Sequence, residues 1–180
     1  MNLENIIKPE TELEKTIIGN EEFRTGCLYG KPRSGHPEGQ IIFHIREVLA
    51  NVEKYSTKND REKLRVISLI HDTFKYKVNQ NIPKIEENNH GMIARRFIEK
   101  YTQNQEILEI TELHDEAFNS WKFGERKNNW NSAVQRAEKL IARLDNSLCL
   151  YLMFYKCDNL TGDKSRINYD WFENLARSHL

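Results

Sequence analysis

Residues 66–72, Val66-Ile67-Ser68-Leu69-Ile70-His71-Asp72, form an apolar run that ends in two polar side chains. The apolar residues predict a segment that packs into a core, so the doublet is expected at the end of a core helix. Imidazole nitrogen and carboxylate oxygen together suit first-row divalent metals. The stretch therefore predicts a metal site inside the fold.

Apolar residues recur at steps of three and four along most of the chain, which is the spacing of an amphipathic helix. Helices are predicted at about 40–55, 61–74, from 90, 104–118 and 131–155, with short helical segments within 1–18 and around Trp171. Turn-forming or polar residues predict loops at 19–39, 76–88 and 119–130. No strand alternation is present, so the predicted class is all-α, a single compact bundle of about six to eight helices.

Length and composition limit the functions of the chain. Its 180 residues suffice for one core, and 27 basic residues balance 27 acidic ones. A neutral chain indicates neither a nucleic-acid surface nor a membrane surface, so any anion site must be local. The first residues show no secretion signal, and the apolar run 148–155 is too short to span a bilayer, so a cytoplasmic protein is expected. Cys149 and Cys157, in or beside this run, are expected to be core residues.

Further candidate ligands lie along the chain at helical distances from the doublet: His44, His90, His114 and Asp158. They fall at the ends or inner faces of successive predicted helices. Because a carboxylate has two oxygens, Asp72 can bridge two ions. Asp145 competes for the role of the late carboxylate, but an apolar helix leads into Asp158 and a turn follows it, which favours Asp158. Asp115 is expected to face solvent.

The order of these residues resembles that of the HD-domain metal-dependent phosphohydrolase superfamily, which takes its name from the His-Asp doublet. Three short segments strengthen the resemblance. They are His36-Pro37-Glu38-Gly39 followed by His44, similar to the HPEG-xxxx-H stretch of HD domains in bacterial CCA-adding enzymes; residues 71–75, similar to an HDxxK form; and residues 157–160, similar to a late ADxL segment with cysteine for alanine. The resemblance covers about residues 33–165. It implies one HD domain over 1–180, in which an N-terminal helical segment and a short C-terminal helix flank this core.

The resemblance also implies a divalent-metal centre of one or two ions, without deciding among Fe, Mn, Co, Ni, Zn and Mg. Two extra histidines between the doublet and the late aspartate are similar to the dinuclear branch of the superfamily. In that scheme the ligands of the first ion are His44, His71, Asp72 and Asp158. The ligands of the second ion are His90, His114 and the bridging Asp72.

Residues outside the ligand set complete the predicted site. Lys75 follows the doublet by one turn and places an ammonium near the metals, where it can neutralise a phosphoryl oxygen. Asp72 and Lys75 are therefore the predicted catalytic residues. The predicted substrate-binding residues are Arg33, His36 and Lys75. For Arg33 the reason is that a guanidinium can bind phosphate through two hydrogen bonds. His36 has an alternative role, a hydrogen bond to a neighbouring carboxylate.

The predicted activity is hydrolysis of a phosphate mono- or diester, preferably a nucleotide, by a metal-activated water. Two alternatives stay open. One is a di-iron oxygenase resembling myo-inositol oxygenase, whose ligands follow the same order, and the other is a non-catalytic HD module that binds a nucleotide. The expected partner is a small phosphate ester or nucleotide, with no membrane and no nucleic acid, and a homodimer is compatible with the sequence.

Overall fold

Helices account for the regular secondary structure of this protein. A computed structural model describes residues 2–180. The α-helices are α1 (Leu3–Ile7), α2 (Glu12–Gly19), α3 (Glu21–Cys27), α4 (Ile41–Tyr55), α5 (Arg61–Ile70), α6 (His90–Ile98), α7 (Gln105–Leu113), α8 (Glu116–Lys127), α9 (Trp130–Leu144), α10 (Leu148–Asn159) and α11 (Ile167–Ala176). Between residues 2 and 180 there is no β-strand, only an isolated bridge between Arg33 and His36. The predicted all-α class is confirmed.

The bundle itself runs from α4 to α11, and three short helices, α1 to α3, precede it. α4 packs against α5, and α10 packs across both of them. α6 pairs with α7, which also contacts α5, while α8 pairs with α9 and α11 covers both. Buried apolar side chains from Leu3 to Ala176 belong to one core cluster. This packing directs the ends of α5, α7 and α10 and parts of α4 and α6 toward one region.

Two segments that were predicted as loops contain helices, and a glycine in each explains the difference. Residues 119–130 lie mostly in α8, and residues 21–27 form α3. A Cβ on Gly124 would lie 2.7 Å from the ring of Trp130, and a Cβ on Gly26 would lie 1.9 Å from the carbonyl oxygen of Thr73. Both glycines are therefore helical residues that permit close packing, although glycine in sequence suggests a turn.

A buried ion pair attaches the N-terminal helices to the bundle. Arg65 of α5 donates from Nε and Nη2 to the two carboxylate oxygens of Glu14 in α2, at 2.8 and 3.0 Å. Glu14 is fully buried and Arg65 is almost so. Since an isolated buried charge is very unfavourable, this pair holds α2 against the helix that leads into the His-Asp doublet.

Two further expectations concern apolar character. None of the helices in residues 2–180 has both the length and the apolar composition needed to cross a bilayer. Cys157 is buried as expected, but Cys149 is exposed, because it lies on the solvent side of the first turn of α10.

Candidate metal centre

His71 and His114 occupy equivalent positions, each in the turn after a helix. α5 ends at Ile70 and α7 ends at Leu113, so both helices are shorter than predicted. Each imidazole donates its Nδ1–H to the carbonyl oxygen three residues earlier, at 3.1 Å for His71 and 2.8 Å for His114. Because a carbonyl oxygen only accepts, these bonds leave the lone pair of each neutral imidazole on Nε2.

Each of these imidazoles faces a second histidine. Nε2 of His44, on α4, is 3.1 Å from Nε2 of His71, and Nε2 of His90, at the start of α6, is 3.0 Å from Nε2 of His114. A Cβ on Gly91 would lie 2.4 Å from a carbonyl oxygen of α7, so glycine is needed for the close approach of α6 to α7. The structure thus brings the four predicted histidines together as two facing pairs.

Asp72 lies between the two pairs and presents one carboxylate oxygen to each. Its Oδ2 is 3.7 Å from Nε2 of both His44 and His71. Its Oδ1 is 3.5 Å from Nε2 of His90 and 3.4 Å from Nε2 of His114. The Asp72 side chain is buried. This is the placement that a bridging carboxylate requires.

The charges around Asp72 favour its ionised form. Burial raises the pKa of Asp72, but the ammonium of Lys75, 2.5 Å from Oδ2, and the facing histidines together outweigh burial, so the pKa is well below its usual range. Burial lowers the pKa of Lys75, yet the carboxylates of Asp72 and Asp115 outweigh that effect and the net pKa is raised. Burial lowers the pKa of His71 to about 3, so this imidazole is neutral at physiological pH and free to bind a cation.

Asp158 lies at the end of α10 and adds a second carboxylate to the first histidine pair. Its Oδ1 is 3.0 Å from Nε2 of His44 and 3.9 Å from Nε2 of His71. Lys164, which sequence reasoning did not single out, donates to the same oxygen at 2.9 Å. Asp145 is exposed after α9, and its carboxylate accepts a hydrogen bond from the neighbouring asparagine side chain. The geometry therefore favours Asp158 over Asp145.

The loop before α4 contributes Glu38, which lies between His36 and His44 and was not among the predicted site residues. Oε1 of Glu38 is 2.8 Å from Nδ1 of His36 and 3.5 Å from Nδ1 of His44. Burial raises the pKa of Glu38, but the hydrogen bonds from His44 and His36 outweigh burial and hold the pKa at about 2. A carboxylate behind a ligating imidazole fixes the orientation of the ring. His36 thus makes the hydrogen bond to a neighbouring carboxylate that was its alternative predicted role.

Arg33 does not join this cluster. Its backbone pairs with that of His36, but its side chain is exposed and makes no hydrogen bond or ion pair within residues 2–180. Its predicted role in substrate binding stays a prediction.

Asp115 lies closer to the site than expected. Its side chain is 38% exposed, but Oδ2 is 3.4 Å from Nε2 of His90 and Oδ1 is 3.8 Å from Nε2 of His114. The expectation that Asp115 faces solvent is therefore incomplete. Asp115 forms the open edge of the second histidine pair. In the sequence, the His114-Asp115 doublet is the feature that could have indicated this position.

The donor set fits divalent cations. The side chains of His44, His71 and Asp72 offer three ligand atoms within 4.8 Å of one another, and those of Asp72, His90 and His114 offer three more. Ligands about 2.1 Å from one ion lie roughly 3–4 Å apart, which is close to these separations. Two imidazole lone pairs that face each other at 3.1 Å repel unless a proton or a cation lies between them. The cluster is thus compatible with one ion at each histidine pair.

Comparison with known families agrees with this geometry. The family model described as HD domain matches residues 41–147, more than half of the chain. The searches of curated proteins and of solved structures give no match. The matched region contains both histidine pairs and Asp72 and ends before Asp158, so the evidence for Asp158 comes from the structure alone. HD domains bind divalent metals and are mostly metal-dependent hydrolases. The chain belongs to the HD domain family.

Proposed function

We propose that this protein is a metal-dependent phosphohydrolase that cleaves a small phosphate mono- or diester, preferably a nucleotide, with water as the nucleophile. One observation carries the proposal. Asp72 offers one oxygen to each of two histidine pairs, and the Lys75 ammonium is bonded to the same carboxylate at the edge of the cluster. Two cation positions beside a fixed positive side chain form a site for a phosphoryl group, which carries negative charge on several oxygens.

The exposure of the site residues defines how the substrate approaches. The side chains of His44, His71, His114 and Asp72 are nearly inaccessible. Lys75, His90, Asp158 and Asp115 are partly exposed and form the open edge. We infer that the phosphoryl group enters over this edge and that the ester group extends away from α5.

The chain's own residues then have distinct tasks. A bound divalent ion acidifies water and neutralises phosphoryl charge. Lys75, held by Asp72, places its ammonium where charge increases on a phosphoryl oxygen in the transition state. Glu38 keeps Nδ1 of His44 protonated and its ring oriented. Asp115, ionised at the open edge, can accept a hydrogen bond from the attacking water.

The test combines metal analysis with hydrolysis assays. Purified protein is loaded in turn with Mn²⁺, Co²⁺, Ni²⁺, Zn²⁺, Mg²⁺ and Fe²⁺, and the metal content per chain is measured. Hydrolysis of p-nitrophenyl phosphate, bis(p-nitrophenyl) phosphate and a set of nucleotides is measured for each form. We expect metal loading and hydrolysis of at least one of these esters. Asp72→Asn should lose both, and Asp158→Asn should lose hydrolysis and the ion at the first histidine pair, whereas Asp145→Asn, an exposed aspartate outside the cluster, should keep metal and hydrolysis.

Three results would contradict the proposal. Full hydrolysis by Asp72→Asn would show that the cluster is not the reacting centre. Oxygen uptake by the iron-loaded protein, without hydrolysis of any ester under any metal, would favour the oxygenase alternative. Absence of metal and of both activities would favour a non-catalytic module.

A further inference from the structure

A cleft of about 620 Å³ opens beside the second histidine pair. His90 and Asp115 form its inner end. One wall is the connection before α6, which includes Lys84 and Ile85, and the other wall is α8. The cleft therefore begins at the open edge of the candidate metal centre and leads away from it.

One face of α8 lines the cleft along its length. Asp115, Asn119, Lys122 and Arg126 all border the cleft, and their spacing of four, three and four residues places them on the same side of the helix. Lys122 comes two turns after Asp115, a distance of roughly 10 Å along the helix axis at 1.5 Å per residue. This row of side chains thus starts with the Asp115 carboxylate at the candidate metal centre and ends with the cations of Lys122 and Arg126, which lie farther from it.

Four of the five basic side chains that line the cleft have no ion-pair partner among residues 2–180. These four are Lys84, Lys122, Arg126 and Lys127. A fifth cation of the lining, Arg136, lies 3.6 Å from Glu116, which is also in the lining.

Glu86 is the remaining carboxylate of the cleft, so positive charge is in excess there although the whole chain is neutral. Elsewhere in the chain, Arg61 and Arg65 both pair with Glu53 of α4. Like charges that line a cleft repel one another unless an anion binds between them.

We propose that this cleft binds a second phosphate group of the substrate. The substrate class is then a small bisphosphorylated ester whose two phosphates are roughly 10 Å apart or less, a span comparable to the rise of α8 between Asp115 and Lys122. The inference rests on the proposed function, because the first phosphate is the one at the metal centre. Lys122 and Arg126 are specificity-determining residues in this proposal, and Arg126 can hold a phosphate through two hydrogen bonds.

Equilibrium binding tests the proposal separately from catalysis. Calorimetry on the metal-loaded protein compares adenosine 3′,5′-bisphosphate with AMP, and fructose 1,6-bisphosphate with fructose 6-phosphate, while phosphorus NMR verifies that each ligand stays intact. The two pairs distinguish a nucleotide from a sugar as the carrier of the phosphates. In one pair or both, the bisphosphate should bind at least about tenfold more tightly, since charge-assisted hydrogen bonds contribute at this level.

Variants identify the residues responsible. Lys122→Gln with Arg126→Gln should bring the bisphosphate-to-monophosphate affinity ratio close to one, and Arg126→Gln alone should give an intermediate ratio. The matched control, Lys15→Gln with Lys58→Gln, removes two exposed lysines that do not line the cleft and should keep the wild-type ratio.

Several outcomes would overturn the proposal. Equal affinity for both members of each pair in the wild type would do so, as would an unchanged ratio in Lys122→Gln with Arg126→Gln. Tighter binding of a 5′-phosphorylated tetrathymidylate than of either bisphosphate would assign the cleft to a nucleic-acid end instead. If bis(p-nitrophenyl) phosphate is hydrolysed while the ratio is one, only the cleft assignment fails. If metal loading and hydrolysis are absent, the proposed function fails.

Discussion

Replacement of Lys75 by glutamine separates the two roles that its contacts allow. The ammonium is 2.5 Å from Oδ2 of Asp72, and the lysine side chain is 24% exposed. If Lys75 stabilises the transition state, Lys75→Gln removes one charged donor from the reacting centre. Loss of such a donor lowers kcat by about 10²–10³-fold, and partial exposure to solvent favours the lower end, roughly a hundredfold or about 2.7 kcal/mol.

The same substitution should not remove the metal. Lys75 competes with a cation for Oδ2 of Asp72, so its loss should leave metal content unchanged or slightly higher. The assay measures kcat and KM for bis(p-nitrophenyl) phosphate together with metal content per chain. Lys77→Gln is the matched control, because Lys77 is exposed and pairs with Glu22 outside the site, and it should retain wild-type kcat.

Two results would refute this reasoning. A Lys75→Gln protein that is fully loaded with metal and has kcat within about threefold of wild type would show that the ammonium does not act on the reacting group. Parallel loss of metal and activity would mean that Lys75 only maintains the structure around Asp72.

Three further predictions follow from burial and geometry. His114→Ala should reduce the metal content by the ion at the second histidine pair while the first pair still binds metal, as measured by elemental analysis. Arg65→Met should lower the free energy of unfolding, measured by urea titration, by about 3–5 kcal/mol, because it leaves the buried Glu14 carboxylate unpaired. In the same titration the control Arg61→Met, which removes an exposed ion pair, should lower it by about 1 kcal/mol or less. Only Cys149 should react with a thiol reagent in the folded protein, since burial raises the pKa of the other two cysteines to about 12, and all three should react in denaturant.

The helical class could be predicted because apolar spacing along the chain is a local property. The bounds of α4 agree with the predicted 40–55 helix, and the class itself is confirmed. The errors at α3 and α8 share one cause. Gly26 and Gly124 are helical because each must admit a neighbouring group at short distance, and the identity of that neighbour is not a local property of the sequence. The same holds for Gly91, which permits the pairing of His90 with His114.

The candidate site could be predicted in part because its order along the chain is diagnostic. The doublet and four further candidate ligands stood out as polar residues at the ends or inner faces of predicted helices, and the match to the HD family supports that interpretation. Glu38, Asp115 and Lys164 did not stand out in the same way. Glu38 matters because it contacts His44, Asp115 because it contacts His90, and Lys164 because it contacts Asp158. In each case the two residues are brought together by the folding of the chain between them.

The sequence by itself determined which chemical groups are present and on which kind of element each lies. Local apolar periodicity and the order of histidine and aspartate residues contain that information. Only the tertiary structure decided that the four histidines form two facing pairs, that Asp72 presents one oxygen to each, and that the cations of α8 continue outward from the open edge. The reason is physical: distances between side chains on different helices depend on how closely the helices pack, and that packing depends on contacts between residues far apart in the chain.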